Sequence, residues 1–207
     1  MIQPEESDSP KRVAIVDAAT ELFAARGYGA VSMDAIARAA DVSKATLYAH
    51  FESKDRLFAT IVEGACRENI MPGANPLDEA ADAETALTAV GGRILRFFLG
   101  ARSMAIYRLV VAESARFPEL GRAFYDHGPV IGRARLAAWL SGLEGLSIPD
   151  PGRAADQFLG LLRTGLYLRA TLGLVAAPDE AEIDAAVRAA VETFLRAFGS
   201  RNDARRG

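Results

Sequence analysis

The densest group of side chains that could bind an anion lies within a dozen residues of one another. A lysine ammonium can neutralise a phosphate, and hydroxyl or imidazole groups can hydrogen-bond its oxygens. Small and apolar residues separate these groups, so one short helix would carry most of them on its outer side. The residues are Lys44, Thr46, Tyr48, His50 and Lys54. Their type and spacing predict a surface for a phosphate-rich partner rather than a catalytic site.

Three short helices must position these groups. The first begins near Pro10 or Lys11 and ends at Gly27, where a residue free to adopt positive φ suits a helix end. The second spans residues 33–40 and the third residues 44–51. Each follows a serine whose hydroxyl can accept a hydrogen bond from the next turn, namely Ser32 and Ser43.

The two residues Asp41 and Val42 leave room only for a tight turn between the second and third helices. This is the spacing of a helix-turn-helix motif. Leu47 and Phe51 lie four residues apart and are expected to be buried, which turns the remaining side chains of the third helix outward. The DNA major groove is about 12 Å wide and admits one α-helix.

The sequence therefore predicts DNA binding through the third helix. Alanines keep the backbone close to the base edges, polar groups contact phosphates, and the capped helix starts offer free amides to the same anions. A fourth helix, predicted over residues 54–70 after Ser53, connects this domain to the rest of the chain. The candidate DNA-binding residues are Ser32, Met33, Ser43, Lys44, Ala45, Thr46, Tyr48, Ala49, His50 and Lys54.

The net charge of −3 and the pI near 5.5 at first argue against a nucleic-acid partner. However, residues 1–10 alone carry −3, whereas residues 11–60 carry +1 and contain all three lysines. The acidity therefore does not exclude DNA. It indicates that binding depends on a few placed contacts and not on a broadly basic surface.

Several classes of protein are excluded by composition. The single cysteine, Cys66, cannot form an internal disulfide, and the longest charge-free runs fall well short of the roughly 20 residues of a membrane span. The acidic N-terminus does not resemble a signal peptide. We therefore expect a soluble, cytoplasmic protein. Metal-ligand spacing, glycine-rich phosphate loops and nucleophile elbows are missing, so we expect neither an enzyme nor a cofactor or metal.

Beyond residue 70 the sequence predicts a linker and a second helical domain. Pro72-Gly73-Ala74-Asn75-Pro76 is the clearest linker. The apolar pattern then predicts longer helices at 78–101, 103–116, 119–145, 153–173 and 179–198. The expected organisation is a disordered tail at 1–10, a DNA-binding domain at 11–58, an effector-binding and dimerisation domain at 77–198, and a disordered tail at 199–207.

Residues 12–63 resemble the N-terminal domain of the TetR family of bacterial transcriptional regulators. The matching segments are AATELFAARGY, SMDAIA at 32–37, VSKATLYAHF at 42–51 and SKDRLF at 53–58. The stretch at 108–129 is similar to the C-terminal region of AcrR- and AefR-like regulators. One departure is Asp41, where the family often has glycine, but aspartate tolerates the left-handed region better than most residues.

This resemblance implies an all-α fold: a three-helix helix-turn-helix domain followed by a helical bundle for ligand binding and dimerisation. It implies a homodimer whose two helix-turn-helix motifs read a palindromic double-stranded operator. The function expected is that of a ligand-responsive regulator, a repressor released from DNA by a small hydrophobic effector. Alternatives are an activator, or a dimeric helical binding module that does not bind DNA.

Two apolar helices are expected to form the dimer interface. The helix at 179–198 has a continuous apolar stripe, and the helix at 153–173 is apolar on more than one side, so a partner's copies would cover what the subunit leaves exposed. Candidate effector contacts are the aromatic residues of the second domain and one arginine. They are Phe97, Phe98, Tyr107, Phe117, Phe124, Trp139, Arg163 and Tyr167.

A rival interpretation is a helical enzyme that uses the adjacent Asp126 and His127. No serine or cysteine nucleophile pattern accompanies this pair, which lies just before a Gly-Pro break. A transcriptional regulator therefore remains the preferred interpretation over an enzyme.

Overall fold

The computed structural model describes residues 9–69, 82–175 and 177–200, and its regular elements in these ranges are helices. This confirms the predicted all-α fold. In chain order they are α1 (Pro10–Arg26), α2 (Met33–Ala39), α3 (Lys44–His50), α4 (Lys54–Asn69), α5 (Ala83–Leu99), α6 (Ala101–Glu113), α7 (Pro118–His127), α8 (Pro129–Ser141), α9 (Pro151–Leu162), α10 (Gly165–Thr171) and α11 (Glu180–Phe198).

The helices form two compact units. The first unit comprises the described residues of Met1–Ala65 together with Ala105–Pro129, and the second comprises those of Cys66–Met104 and Val130–Gly207. The predicted effector-binding domain at 77–198 is therefore not one unit, because the end of α6 and all of α7 pack with the helix-turn-helix. Helix α6 contributes residues to both units.

The core of the first unit is centred on three aromatic rings. Phe23 of α1, Tyr28 of the following loop and Phe58 of α4 lie with their ring centroids 5.3–5.9 Å apart, and each is at most 2% exposed. Edge-to-face and tilted pairs at such distances add to the free energy gained from burial alone. Helix α2 packs on α1 and on α3, so this core also supports the third helix.

The serine caps predicted from the sequence are present. The Ser32 Oγ accepts a hydrogen bond from the Ala35 amide at 3.2 Å, and the Ser43 Oγ accepts one from the Thr46 amide at 3.0 Å. Both serines have extended backbone angles, as an N-cap requires. These bonds fix where α2 and α3 begin.

The turn between α2 and α3 is a Schellman motif. The Val42 amide donates to the Ala37 carbonyl at 3.0 Å, and the Asp41 amide donates to the Arg38 carbonyl at 3.3 Å. Asp41 has a φ of 52°. Among the described residues, it is the only one other than glycine with a positive φ. The prediction that aspartate accepts the left-handed conformation here is confirmed.

The second unit is organised around α5 and α11, which pack against each other, and α9, which packs on α11. Gly91 of α5 permits this close approach, because a Cβ there would lie 3.2 Å from the Phe158 ring and 3.3 Å from a Val187 methyl. The apolar stripe of α11 is largely buried within the subunit. Its buried members are Ile183, Val187, Ala190, Val191 and Phe194.

Two predicted helices are each divided in the structure. The helix expected at 119–145 breaks at Gly128 and also ends early, at Ser141, and the helix expected at 153–173 breaks at Arg163 and Thr164, where Thr164 has a ψ of −150°. Proline at the first position of α8 accounts for the first break, since it lacks the amide that a continuous helix would use.

The ends of the predicted domains are only partly described. Gly199 and Ser200, expected in a disordered tail, are ordered: the Ser200 amide donates to the Gly145 carbonyl at 2.9 Å. The remaining tail residues 1–8 and 201–207, the linker at 72–76 and the side chain of Cys66 lie outside the described residues. Within the described ranges, the helices are too short or too polar to cross a membrane.

The left-handed turn gives a test of how α3 is positioned. We expect Asp41→Ala to lower the free energy of unfolding by about 1 kcal/mol, because an alanine Cβ is strained at positive φ. Asp41→Gly is the matched control and should unfold close to the parent, since glycine adopts this conformation freely. Urea denaturation at equal protein concentrations measures both. An alanine variant as stable as the glycine variant would contradict this account of the turn.

Candidate nucleic-acid interface

Helix α3 is anchored on one side and exposed on the other. Leu47 is fully buried and Phe51, at the end of the helix, is 4% exposed. The opposite face carries Ala45, Tyr48 and Ala49, which follow one another at helical spacing and are exposed. The Tyr48 side chain is 45% exposed although it is large and aromatic. Because the side chains of Ala45 and Ala49 are small and exposed, another molecule can approach the backbone of α3 closely there.

Lys44 stands at the start of the exposed face and is paired with α2. Its Nζ lies 2.9 and 3.0 Å from the two carboxylate oxygens of Asp34. The hydrogen bond to Asp34 raises the pKa of Lys44 above its ordinary value. Both side chains are well exposed, and such pairs contribute little to stability, so the lysine can exchange partners at small cost.

The hydroxyl groups that were predicted to contact DNA already make hydrogen bonds at the starts of α2 and α3. The Oγ of Ser43 and the Oγ1 of Thr46 lie 2.8 Å apart, in addition to the capping bond. Thr46 is half-buried, whereas Ser32 and Ser43 are exposed. These side chains therefore hold the first turns of α2 and α3 in place.

One predicted DNA-binding residue is corrected by the structure. The Met33 side chain is 9% exposed and belongs to the core of the first unit. It occupies the first position of α2, and the turn of the helix directs it toward the buried Ile36 and Ala37 side. Its side chain is therefore part of the packing of the first unit.

Lys54 has partners that the sequence analysis did not foresee. Its Nζ donates to the carbonyl oxygens of Tyr28 at 2.7 Å and of Val31 at 3.0 Å, and lies 4.1 Å from the centre of the Tyr28 ring. Burial lowers the pKa of Lys54, and the carboxylates of Glu113 and Glu119 oppose this shift. Two of the three ammonium hydrogens are used within the protein, so a phosphate could accept at most the third.

A polar groove of about 230 Å³ borders His50 at the end of α3. Arg12 of α1 and Arg56 of α4 line this groove together with the exposed imidazole of His50. The guanidinium of Arg12 also stacks over the Phe51 ring, 5.3 Å from its centre. The groove is lined by Arg12, His50, Phe51, Glu52, Arg56 and Thr60.

Sequence reasoning missed both arginines of this groove. They lie 44 positions apart on different helices, and no local motif connects them with α3. One weak indication of a basic surface here was present in the sequence. Residues 11–60 have a net positive charge, whereas the rest of the chain has a net negative charge.

The candidate effector residues do not form one cluster. In the second unit, Phe98 packs beside Phe97 and Tyr167, with ring centroids 5.8 and 5.9 Å apart, and the Arg163 guanidinium lies 4.2 Å from the Phe98 ring centre. Such cation–π contacts contribute about 0.5–1 kcal/mol where exposed. The structure therefore brings four of the candidate residues together, namely Phe97, Phe98, Arg163 and Tyr167.

Trp139 of α8 is the buried candidate with an unsatisfied group. Its side chain is 6% exposed, and its Nε1 has no hydrogen-bond partner among the described residues. A buried donor without a partner costs free energy and is unusual in proteins.

The remaining effector candidates belong to the first unit. Tyr107 and Phe124 pack together at 6.2 Å, whereas Phe117 packs edge-on against Tyr28 at 5.6 Å. The assignment of Phe117 to an effector site is therefore corrected, because its ring supports the loop between α1 and α2. Its position at the start of α7 explains this, because α7 packs within the first unit, whereas Phe97, Phe98, Trp139, Arg163 and Tyr167 belong to the second.

The adjacent residues Asp126 and His127 lie at the C-terminal end of α7. The His127 Nδ1 lies 3.8 Å from the Glu63 carboxylate, and Asp126 is exposed at the end of α7. Within the described ranges, no group of acidic, histidine or cysteine side chains is arranged to hold a metal ion.

A second groove, of about 370 Å³, lies between α9 and α11. Small residues line its floor and edges, including Gly160 and Ala197, and the wall is completed by two phenylalanines. Its lining residues are Gln157, Gly160, Leu161, Thr164, Thr193, Phe194, Ala197 and Phe198. On α10 and directly after it, three leucines are largely exposed, namely Leu168, Leu172 and Leu174.

Comparisons with known proteins cover both parts of the chain. Residues 15–61 match the family described as bacterial regulatory proteins of the tetR family, and residues 85–200 match the C-terminal domain of AefR-like transcriptional repressors. Over 192 residues the chain is 27% identical to the HTH-type transcriptional regulator BetI of Rhizobium meliloti (strain 1021), covering 91% of each protein.

Two solved structures are similar over almost their whole length. The flavonoid-responsive regulator FrrA is 38% identical with a TM-score of 0.74, covering 92% of this chain and 98% of that one. A TetR-family regulator from Mesorhizobium loti is 30% identical with a TM-score of 0.76, covering 94% and 100%. With its helix-turn-helix at the N-terminal end and an AefR-like C-terminal domain, the chain belongs to the TetR family of transcriptional regulators.

Proposed function

We propose that the protein is a dimeric repressor that binds a palindromic operator and leaves it when a small effector binds. The observation that carries the DNA-binding part is the face of α3 formed by Ala45, Tyr48 and Ala49, which is exposed while Leu47 anchors the helix in the core. A helix of this width fits the major groove. Repressors of this kind act on DNA in the cytoplasm.

The proposed contacts divide into base readers and phosphate contacts. Ala45, Tyr48 and Ala49 would face the base edges, where the alanines admit the T methyl groups and the tyrosine hydroxyl can hydrogen-bond. Lys44 would exchange Asp34 for a phosphate, and the groove of Arg12, His50 and Arg56 would hold the adjacent backbone.

Removing these contacts should weaken operator binding without disturbing the dimer. We expect Lys44→Ala to reduce affinity and to lower the slope of log affinity against log salt by about 0.9, the contribution of one neutralised phosphate. Tyr48→Ala should cost about 1–3 kcal/mol of discrimination between sequences and leave the salt slope unchanged. Fluorescence anisotropy with duplexes selected by the parent from a random pool measures both.

Arg188→Ala is the matched control, because it removes an exposed positive charge from α11, outside the first unit. It should bind like the parent. Parent-like binding by both the Lys44 and Tyr48 variants would show that this surface is not the one that reads DNA.

We propose that the groove between α9 and α11 forms the dimer interface. Small side chains such as Gly160 and Ala197 allow helices of two subunits to approach closely, and Leu168 and Leu172 are exposed large apolar groups that a partner would cover. Two helices from each subunit would form a four-helix arrangement, which is common for symmetric dimers.

A single bulky charge separates this interface from the fold of one subunit. A Cβ at Gly160 meets nothing within 4 Å inside the protomer, so Gly160→Arg is tolerated by the monomer fold but would bury a charge in the dimer. We expect sedimentation at the monomer mass. Gly64→Arg, at an equally open position on α4, should remain dimeric; a dimeric Gly160 variant would contradict the proposed interface.

We propose that the effector is a small, mostly apolar molecule with a hydrogen-bond acceptor. The buried Trp139 indole offers an unpaired donor, and the rings of Phe98 and Tyr167 with Arg163 offer surfaces for an aromatic ligand. That a similar protein is named a flavonoid-responsive regulator makes polyphenolic compounds the first class to try.

Because the chain contains one tryptophan, its fluorescence reports on the surroundings of the Trp139 indole. We expect a flavonoid that binds the protein to quench the Trp139 emission. Trp139→Phe, which keeps an aromatic ring and removes the donor, should weaken binding about 5- to 100-fold, as expected when one hydrogen bond is lost. Calorimetry with the same compound measures the affinity, and equal binding by the variant would exclude the indole as a contact.

A further inference from the structure

The loop between α1 and α2 is bound by a carboxylate from a distant part of the chain. The Tyr28 amide donates to Oε1 of Glu113 at 2.9 Å, and the Gly29 amide donates to Oε2 at 2.8 Å. Glu113 is the last residue of α6 and is half-buried. Hydrogen bonds to an ionised acceptor are about twice as strong as neutral ones, and here one carboxylate receives two.

The carbonyl groups of the same loop are bound from the other side. As described above, Lys54 at the start of α4 donates to the carbonyls of Tyr28 and Val31. The donors of the loop therefore face an anion and its acceptors face a cation.

The shape of the loop matches the carboxylate closely. Gly27 has a φ of 79°, and a Cβ at this position would overlap the Glu113 Oε1. A Cβ at Gly29 would lie 2.8 Å from the Phe117 ring. Both glycines thus leave the space that the carboxylate and the Phe117 ring occupy, and any larger residue would displace one of them.

We propose that Glu113 is a positioning residue for operator binding. The loop it holds joins α1 to α2, and α2 carries the tight turn that sets α3. With Glu113 in place the loop is already ordered when the protein meets DNA. Without it, ordering the loop would consume part of the binding free energy. This inference rests on the proposed binding of DNA through α3.

The test compares two variants that remove the same charge. Glu113→Gln retains one carbonyl acceptor but turns an amide donor toward the second loop amide. Glu119→Gln is the matched control, since Glu119 lies six residues further along and makes no hydrogen bond to the loop among those described. Removal of a negative charge on its own strengthens DNA binding through the phosphates, so loss of charge and loss of the contact have opposite effects.

We expect Glu113→Gln to bind a duplex selected by the parent about tenfold more weakly, whereas Glu119→Gln binds it at least as well as the parent does. Affinities are measured at a temperature where both variants keep the parent's circular dichroism. Hydrogen exchange should become faster at the Tyr28 and Gly29 amides in the Glu113 variant only. Parent-like affinity of Glu113→Gln would overturn the proposal.

Glu113→Asp decides the question if the glutamine variant does not fold. It keeps the charge but is shorter by one methylene, so it can reach the two amides only poorly, and we expect an affinity between those of the parent and a tenfold loss. An aspartate variant that binds like the parent would refute the role of the contact. Failure of the parent itself to select any duplex would instead refute the proposed DNA binding.

Discussion

The structure of the first unit depends on keeping one short helix in a single orientation. A seven-residue helix such as α3 is not stable by itself in water. Its conformation is imposed by the buried Leu47, by the hydroxyl of Ser43 at its start and by the left-handed turn at Asp41. These three constraints act on one face and one end. The other face of α3 is exposed and does not contribute to the core. It carries the residues that we propose to read DNA.

Features set by short-range interactions were predictable from the sequence. The caps at Ser32 and Ser43 and the conformation of Asp41 involve partners within five residues, so their chemistry can be recognised in the chain itself. The same holds for the all-α fold and the outward face of α3. The interruption at Gly128 was predicted from the Gly128-Pro129 pair, although residues 119–145 were given as one helical span.

Features set by long-range packing were not predictable. The partners of Lys54 lie more than 20 residues away, and Glu113 reaches residues about 85 positions earlier. Periodicity shows that α7 is amphipathic but not which unit covers it, which is why Phe117 was assigned to an effector site and instead supports a loop. Similarly, the apolar stripe of α11 predicted burial, but not that α5 of the same subunit buries most of it.

Contact between the exposed face of α3 and the operator can be measured by an amide-resolved NMR titration. Isotopically labelled protein would be titrated with a duplex that it selects from a random pool. If α3 enters the major groove, we expect the largest chemical-shift changes at the amides of Ala45, Tyr48 and Ala49, with smaller ones at Arg12 and Arg56. Unchanged α3 amides, with the changes concentrated in another part of the chain, would contradict it.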